Sequence, residues 1–167
     1  PGRIEFIAEG QFFKIIVDYA FEPKAVEALY EIVKQIPKQK IIHLLGSAGG
    51  GRDVSRRPKL GELAGANAQV VIVTNEDPYD EDPKKIIDQV AAGASNVGKK
   101  INKDLFKILD RREAIIKALK LAGSNDLVLI TGKGCEQAIV VKNNKKIPWD
   151  DRKVVREELK KIRSTKS

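Results

Sequence analysis

The chain has 167 residues and a formal net charge of +8 at pH 7, with 42% hydrophobic and 32% charged residues. That length suits one domain with a core of its own, needing neither disulfides nor a metal to hold it. Its single cysteine, Cys135, excludes an internal disulfide framework and points to a reducing, cytoplasmic setting.

No apolar run approaches the ~20 residues of a membrane span, and the opening PGRIEFIAEG lacks the apolar core of a signal peptide, so no membrane partner is expected. The chain contains no methionine, which points to a domain cut from a longer protein. Its Lys and Arg residues are spread through helical stretches. Five Phe, three Tyr and one Trp are few for stacking on bases, so a solvated basic surface is expected rather than a nucleic-acid partner.

In chain order, RIEFI and FFKIIV flank AEGQ, the pattern of a β-hairpin. KIIVDY (14–19) is a strand candidate. A helix follows, with Pro23 at its start and Val26, Leu29, Tyr30, Val33 and Ile36 at helical spacing. The runs IIHLL (41–45), VVIV (70–73) and LVLI (127–130) are continuous rather than alternating, as in parallel strands buried on both faces. Asp82-Pro83 marks a helix start, and FKILD (106–110) is a weaker strand. Asp110 caps a helix carrying Ile115, Ala118, Leu119 and Ala122. QAIVV, NN and KKIPW form a second turn region, and Asp150-Asp151 opens a helix with Val155, Leu159 and Ile162 inward. Strand alternating with helix gives an α/β domain with a mostly parallel sheet flanked by helices, and an N-terminal β-hairpin.

In such a sheet the strand C-termini share one edge, and ligands bind outside it. Five loops therefore converge: DYAFEP, GSAGGGRD, TNEDPYDED, LDRRE and TGKGCE. GSAGGGRD lets backbone N–H groups approach a ligand, and Arg52 beside it can hold a carboxylate through two hydrogen bonds. It is neither GxGxxG nor a GxxxxGK[ST] phosphate loop. In TGKGCE, Lys133 is placed to meet a phosphate or carboxylate, or else to sit solvated on a tight turn; Glu136 can accept from an amine. Cys135 lacks the partners of a reactive thiol. His43, inside an apolar run, reads as structural, and with one His and one Cys no transition-metal site is expected. Five of the nine side chains of TNEDPYDED are carboxylic acids.

These loops in this order resemble the C-terminal domain of the Mur ligases, most closely the MurE type that adds the third residue to a UDP-N-acetylmuramoyl peptide. The resemblance runs from PGRIE through DYAFEP, GGGRDVSRRPKLGELA, TNEDPYDEDP, DRREAI and GKGCE to IPWDDRKVVREEL. It implies that residues 1–167 are one Rossmann-like domain, with a UDP-binding domain and a central ATPase domain outside this chain. It implies ATP and Mg²⁺ bound mainly by that central domain, an amino-acid substrate, and UDP-N-acetylmuramoyl-peptide reached through the other domains. ATP would phosphorylate the peptide's carboxylate and the amino acid's amine would attack. Alone, this chain would be inactive and would carry no catalytic or metal-binding residue. Arg3, Asp18 and Tyr19 match positions near the nucleotide, and Phe21 stands where a nucleotide-facing histidine is usual. Arg52, Asp77, Pro78, Tyr79, Asp80, Gly132 and Glu136 match positions that hold the amino acid.

Two further departures bear on function. GKGHE is GKGCE here, and the D-N-P-R of diaminopimelate enzymes is E-D-P-Y at Glu76–Tyr79. The family arginine clamps a distal carboxylate. A hydrogen bond to a charged group is worth about 1.5–3 kcal/mol, so its loss costs roughly tenfold to over a hundredfold in affinity. With Asp77, Asp80, Glu81 and Asp82 nearby, a lysine-like or other diamino acid with a distal cation is the expected substrate, although residues 80–83 also resemble the family's acidic helix start. The alternative is a non-catalytic nucleotide- or amino-acid-binding module derived from such a ligase.

Overall fold

The structure, a computed structural model, describes residues 2–166. Its elements are β1 (Glu5–Phe6), β2 (Lys14–Asp18), α1 (Pro23–Val33), β3 (Ile41–Leu45), α2 (Arg56–Asn67), β4 (Val70–Thr74), α3 (Pro83–Asn96), β5 (Leu105–Ile108), α4 (Arg111–Leu121), β6 (Leu127–Thr131), β7 (Ala138–Val141), a 3₁₀ turn (Lys142–Asn144), β8 (Lys145–Pro148) and α5 (Asp151–Thr165). The main sheet has the order β1-β2-β6-β3-β4-β5. β1 pairs antiparallel with β2, closing the expected hairpin, and every other pairing in the sheet is parallel. Among the described residues no helix is long and apolar enough to cross a membrane.

The unbroken apolar runs have a direct cause. Successive strand residues face opposite sides, and both sides are covered. Ile16, Leu45, Val71, Val73, Leu127 and Leu129 pack under α1, α2 and α3. Ile15, Val17, Ile42, Leu44, Ile72, Val128 and Ile130 pack under α4 and α5. His43 is buried within β3, its ring nitrogens 2.5 Å from the Tyr30 hydroxyl and 2.9 Å from Thr131 Oγ1. Burial pushes its pKa down to about 3, so it is the neutral, structural histidine expected.

Helix starts follow the sequence signals. Asp82, Asp110 and Asp150 each accept a hydrogen bond from a first-turn N–H, and Pro23 and Pro83 occupy the first turn. The strand read at 106–110 begins one residue earlier and stops at Ile108, because Asp110 is taken as the α4 cap. The second turn region is an antiparallel β7–β8 hairpin.

Helix α2 has no clear apolar stripe in the sequence, since Pro58, Gly61 and Gly65 interrupt it. Those glycines instead bring α2 against α3. A Cβ on Gly61 would lie 1.8 Å from Val90 O, and one on Gly93 1.9 Å from Pro58 O. Helix propensity alone would make Gly61→Ala stabilising by up to about 1 kcal/mol. The close approach reverses that sign: Gly61→Ala is expected to cost about 1–3 kcal/mol in urea unfolding, because the helices must separate.

Candidate functional site

The C-terminal ends of β2, β6, β3 and β4 open onto a cleft of about 350 Å³, lined by Tyr19, Phe21, Glu22, Ala48, Arg52, Arg56, Glu76, Asp77, Tyr79, Gly132 and Glu136. Four of the five anticipated loops thus meet there. The fifth, LDRRE, lies beneath and sends Arg111 under the site. Arg111 donates from Nε and Nη2 to Asp151 at 2.8 Å each, from Nη1 to Asn75 O at 3.0 Å and from Nη2 to Thr131 O at 3.2 Å. It ties the ends of β4 and β6 to the start of α5. Arg57 does the same on the other flank, donating to Ala48 O at 3.2 Å, Glu81 at 2.7 Å and Gln89 at 2.7 Å. It holds the glycine loop against the acidic one. The sequence reading gave neither arginine a role.

Of the residues assigned to the amino acid, Arg52, Asp77, Tyr79, Gly132 and Glu136 line the cleft, whereas Pro78 and Asp80 do not. Pro78 is buried with its carbonyl facing Gly49. Asp80 turns outward and accepts from Asn143 N at 2.8 Å in the β7–β8 hairpin. The nucleotide set, Arg3, Asp18, Tyr19 and Phe21, lines a neighbouring hollow of about 320 Å³ together with Ala25, Leu29 and Ile32. Asp18 is committed to its own loop: its two oxygens accept from Ile4 N and Ala20 N, at 2.7 Å each. Tyr19 and Phe21 form the wall between the two hollows, their rings edge to face at 5.3 Å. Arg56 lies 5.9 Å from the Phe21 ring centroid, giving that wall a cation on one side.

The acids of TNEDPYDED do not act as one negative field. Lys133 is neither solvated nor free for a phosphate; it is fully buried and donates to Asp77 at 2.9 and 3.0 Å and to Glu136 at 2.5 Å. Asp77 also accepts from Val140 N at 2.8 Å. Glu81 pairs with Arg57 and Asp82 caps α3. The acids thus lack the collective freedom to attract a distal cation that the sequence reading gave them.

One acid is left over. Glu76 is only 4% exposed, and its Oε2 is buried without a hydrogen-bond partner. Gly46 and Gly132 close over it; a Cβ on Gly132 would lie 2.4 Å from that oxygen. Burial pushes the Glu76 carboxyl up to about 7, opposed by Arg111 and reinforced by Asp77. Tyr19 is also raised, chiefly by hydrogen bonding to Glu136. In the sequence Glu76 is only the first residue of E-D-P-Y. The pair of glycines that pack on it was its one sequence signal, and that pairing becomes visible only with the strand register.

A family model described as the Mur ligase, glutamate ligase domain matches residues 2–134. The chain belongs to the Mur ligase family. It is 45% identical over 150 residues to a UDP-N-acetylmuramyl-tripeptide synthetase of Roseiflexus sp. (strain RS-1), covering 90% of this chain and 29% of that protein. It is 40% identical to a UDP-N-acetylmuramoyl-L-alanyl-D-glutamate–2,6-diaminopimelate ligase of Syntrophomonas wolfei, over 96% of this chain and 32% of that one. A solved structure of a ligase with that same name superposes with a TM-score of 0.83 at 30% identity, covering 98% of this chain and 32% of that chain. The chain therefore spans about a third of the length of these Mur ligases.

Within the Mur ligase pattern, the departures take definite places. Tyr79 sits at φ 54°, uncommon for an aromatic residue, with its N–H bonded to Val140 O at 3.1 Å. Its ring lies over Gly50, where a Cβ would come within 2.8 Å of it. Cys135 is exposed and lies outside the cleft lining.

Proposed function

We propose that this chain is the third domain of a MurE-like, ATP-dependent ligase, and that its cleft presents the incoming amino acid to a UDP-N-acetylmuramoyl dipeptide. One observation carries the reading: a buried, unpartnered carboxylate, Glu76, shares a small cleft with Arg52, which is exposed and makes no ion pair among the described residues. A cleft with a carboxyl at its closed end that can ionise against a bound cation, and a free cation at its mouth, fits a zwitterion, with the α-carboxylate on Arg52 and an ammonium toward Glu76 and Glu136.

The neighbouring hollow fits the edge of a flat heterocycle better than a phosphate, being largely aliphatic and aromatic with Arg3 as its one cation. When bound, ATP with Mg²⁺ supplies the phosphoryl group that activates the peptide carboxylate, and the family resemblance assigns their main contacts to the central domain. This domain's own residues orient the amino acid, and the Tyr19–Phe21 wall keeps it apart from the base. The α-amine is left at the open mouth, where the activated carboxylate would arrive.

The substrate is a diamino acid with a distal cation, such as lysine, rather than meso-diaminopimelate. With the loop's other acids spent on protein partners, and Glu136 already accepting from Lys133 at 2.5 Å, this preference rests chiefly on Glu76 and on Tyr79 replacing the clamping arginine. Amino-acid-dependent phosphate release by the full-length ligase, compared across lysine, ornithine and meso-diaminopimelate, tests it. Tyr79→Arg is expected to raise activity toward meso-diaminopimelate at least tenfold, the worth of about 1.5 kcal/mol. A parent enzyme that prefers diaminopimelate sinks the specificity reading, and phosphate release indifferent to every amino acid sinks the ligase reading.

A further inference from the structure

We propose that Glu76 is a proton-exchange site: it holds a proton while the cleft is empty and releases it to solvent when an amino acid with a distal ammonium is bound. This rests on the amino-acid reading of the cleft and adds a proton to its chemistry.

The argument begins with the charges around Glu76. From its own loop comes Asp77; from the loop after β6 come Lys133 and Glu136; from the loop after β2 comes the Tyr19 hydroxyl; from α4 comes Arg111. The two cations are already engaged. Arg111 is held by Asp151 at 2.8 Å, and Lys133 points its ammonium at Asp77 and Glu136, at 2.9 and 2.5 Å. Three carboxylates thus share one lysine, and Glu76 is the one without a hydrogen bond. Gly46 and Gly132 close against it, and no N–H is directed at its buried oxygen. An ionised carboxylate out of water with no donor is costly, and taking up a proton relieves that cost. Burial accordingly raises Glu76 to about 7.

A ligand ammonium changes the balance. It brings an N–H donor and one positive charge to the side of Glu76 that lines the cleft. Glu76 then favours the ionised form, its proton leaves through the mouth of the cleft, and the ligand keeps all of its own. Net, a carboxylic acid and an ammonium become a carboxylate–ammonium pair and one proton in solvent. Binding should therefore strengthen as pH rises through the free-state titration of Glu76, up to the point where the distal ammonium itself is lost.

The test is carboxyl-detected ¹³C NMR titration of this chain, with Glu76→Gln, or Glu76→Asp should the first fail to fold, identifying the resonance. In the free chain the Glu76 signal is expected to titrate near pH 7. Saturating L-lysine is expected to lower that midpoint by about 1–3 pH units, the usual effect of an adjacent opposite charge. L-norleucine, which has the same skeleton without the distal amine, should leave it in place. A free-chain midpoint at the ordinary carboxylate value overturns proton exchange outright. A raised midpoint that lysine, ornithine and meso-diaminopimelate all fail to move overturns the amino-acid reading beneath it. An equal shift with norleucine overturns the role of the distal ammonium.

Discussion

Arg111→Met is expected to lower the stability of the chain by about 3–5 kcal/mol, the usual cost of removing one partner of a buried ion pair. Arg111 is 3% exposed and Asp151 is wholly buried. Without the guanidinium, Asp151 retains only the Trp149 indole N–H, at 2.7 Å, and the carbonyls of Asn75 and Thr131 lose a donor. The variant Asp151→Leu should be destabilised comparably, by the converse orphaning of Arg111. The double variant Arg111→Met with Asp151→Leu should recover much of the loss, because an apolar pair needs no charge compensation. Urea unfolding of the four proteins measures this. Additive losses, or a single-variant loss under about 1 kcal/mol, would show that the pair is not the strut the geometry makes it. The consequence reaches the cleft: Asn75 immediately precedes Glu76, so Arg111 fixes where that carboxylate stands.

What could be read from the sequence, and what could not, divides along a physical line. IIHLL, VVIV and LVLI declared themselves because layers on both faces remove polar alternation, a signal local to each run. Helix caps were legible for the same reason, since Asp82, Asp110 and Asp150 act on residues two or three positions away. Helix α2 was not, because its glycines serve contacts to α3 and look locally like breakers. The acids of TNEDPYDED show the limit most clearly. Their number was evident, but their partners lie far along the chain: Lys133 is 56 residues from Asp77, Asn143 is 63 from Asp80 and Arg57 is 24 from Glu81. Charge counted locally overstated what the loop could offer a ligand. Only after each partner was placed did Glu76 emerge as the acid with none.

Glu76→Gln is expected to stabilise the domain at alkaline pH while weakening its hold on a diamino acid. The sign follows from linkage. The folded-state pKa of Glu76 is raised from 4.5 to about 7, so the native state binds the proton more tightly than the unfolded chain. Its favourable contribution is full below the unfolded value and is lost as pH rises through about 7. Between about pH 5 and about pH 8 that loss amounts to about 2–3 kcal/mol. His43 works in the opposite direction: its pKa is lowered from 6.5 to about 3, so its penalty grows as pH falls. The wild-type profile alone therefore blends two opposed slopes. The difference between Glu76→Gln and wild type cancels His43, which both proteins share. Unfolding free energies from urea titrations should show that difference turning in favour of the variant by about 2–3 kcal/mol on going from about pH 5 to about pH 8. A difference flat with pH would mean that Glu76 is solvated or paired in solution, and the unpartnered carboxylate on which the site is built would be gone. A stabilising variant that also loses amino-acid-dependent phosphate release in the full-length ligase would mark Glu76 as a group kept at a cost in stability for what it binds.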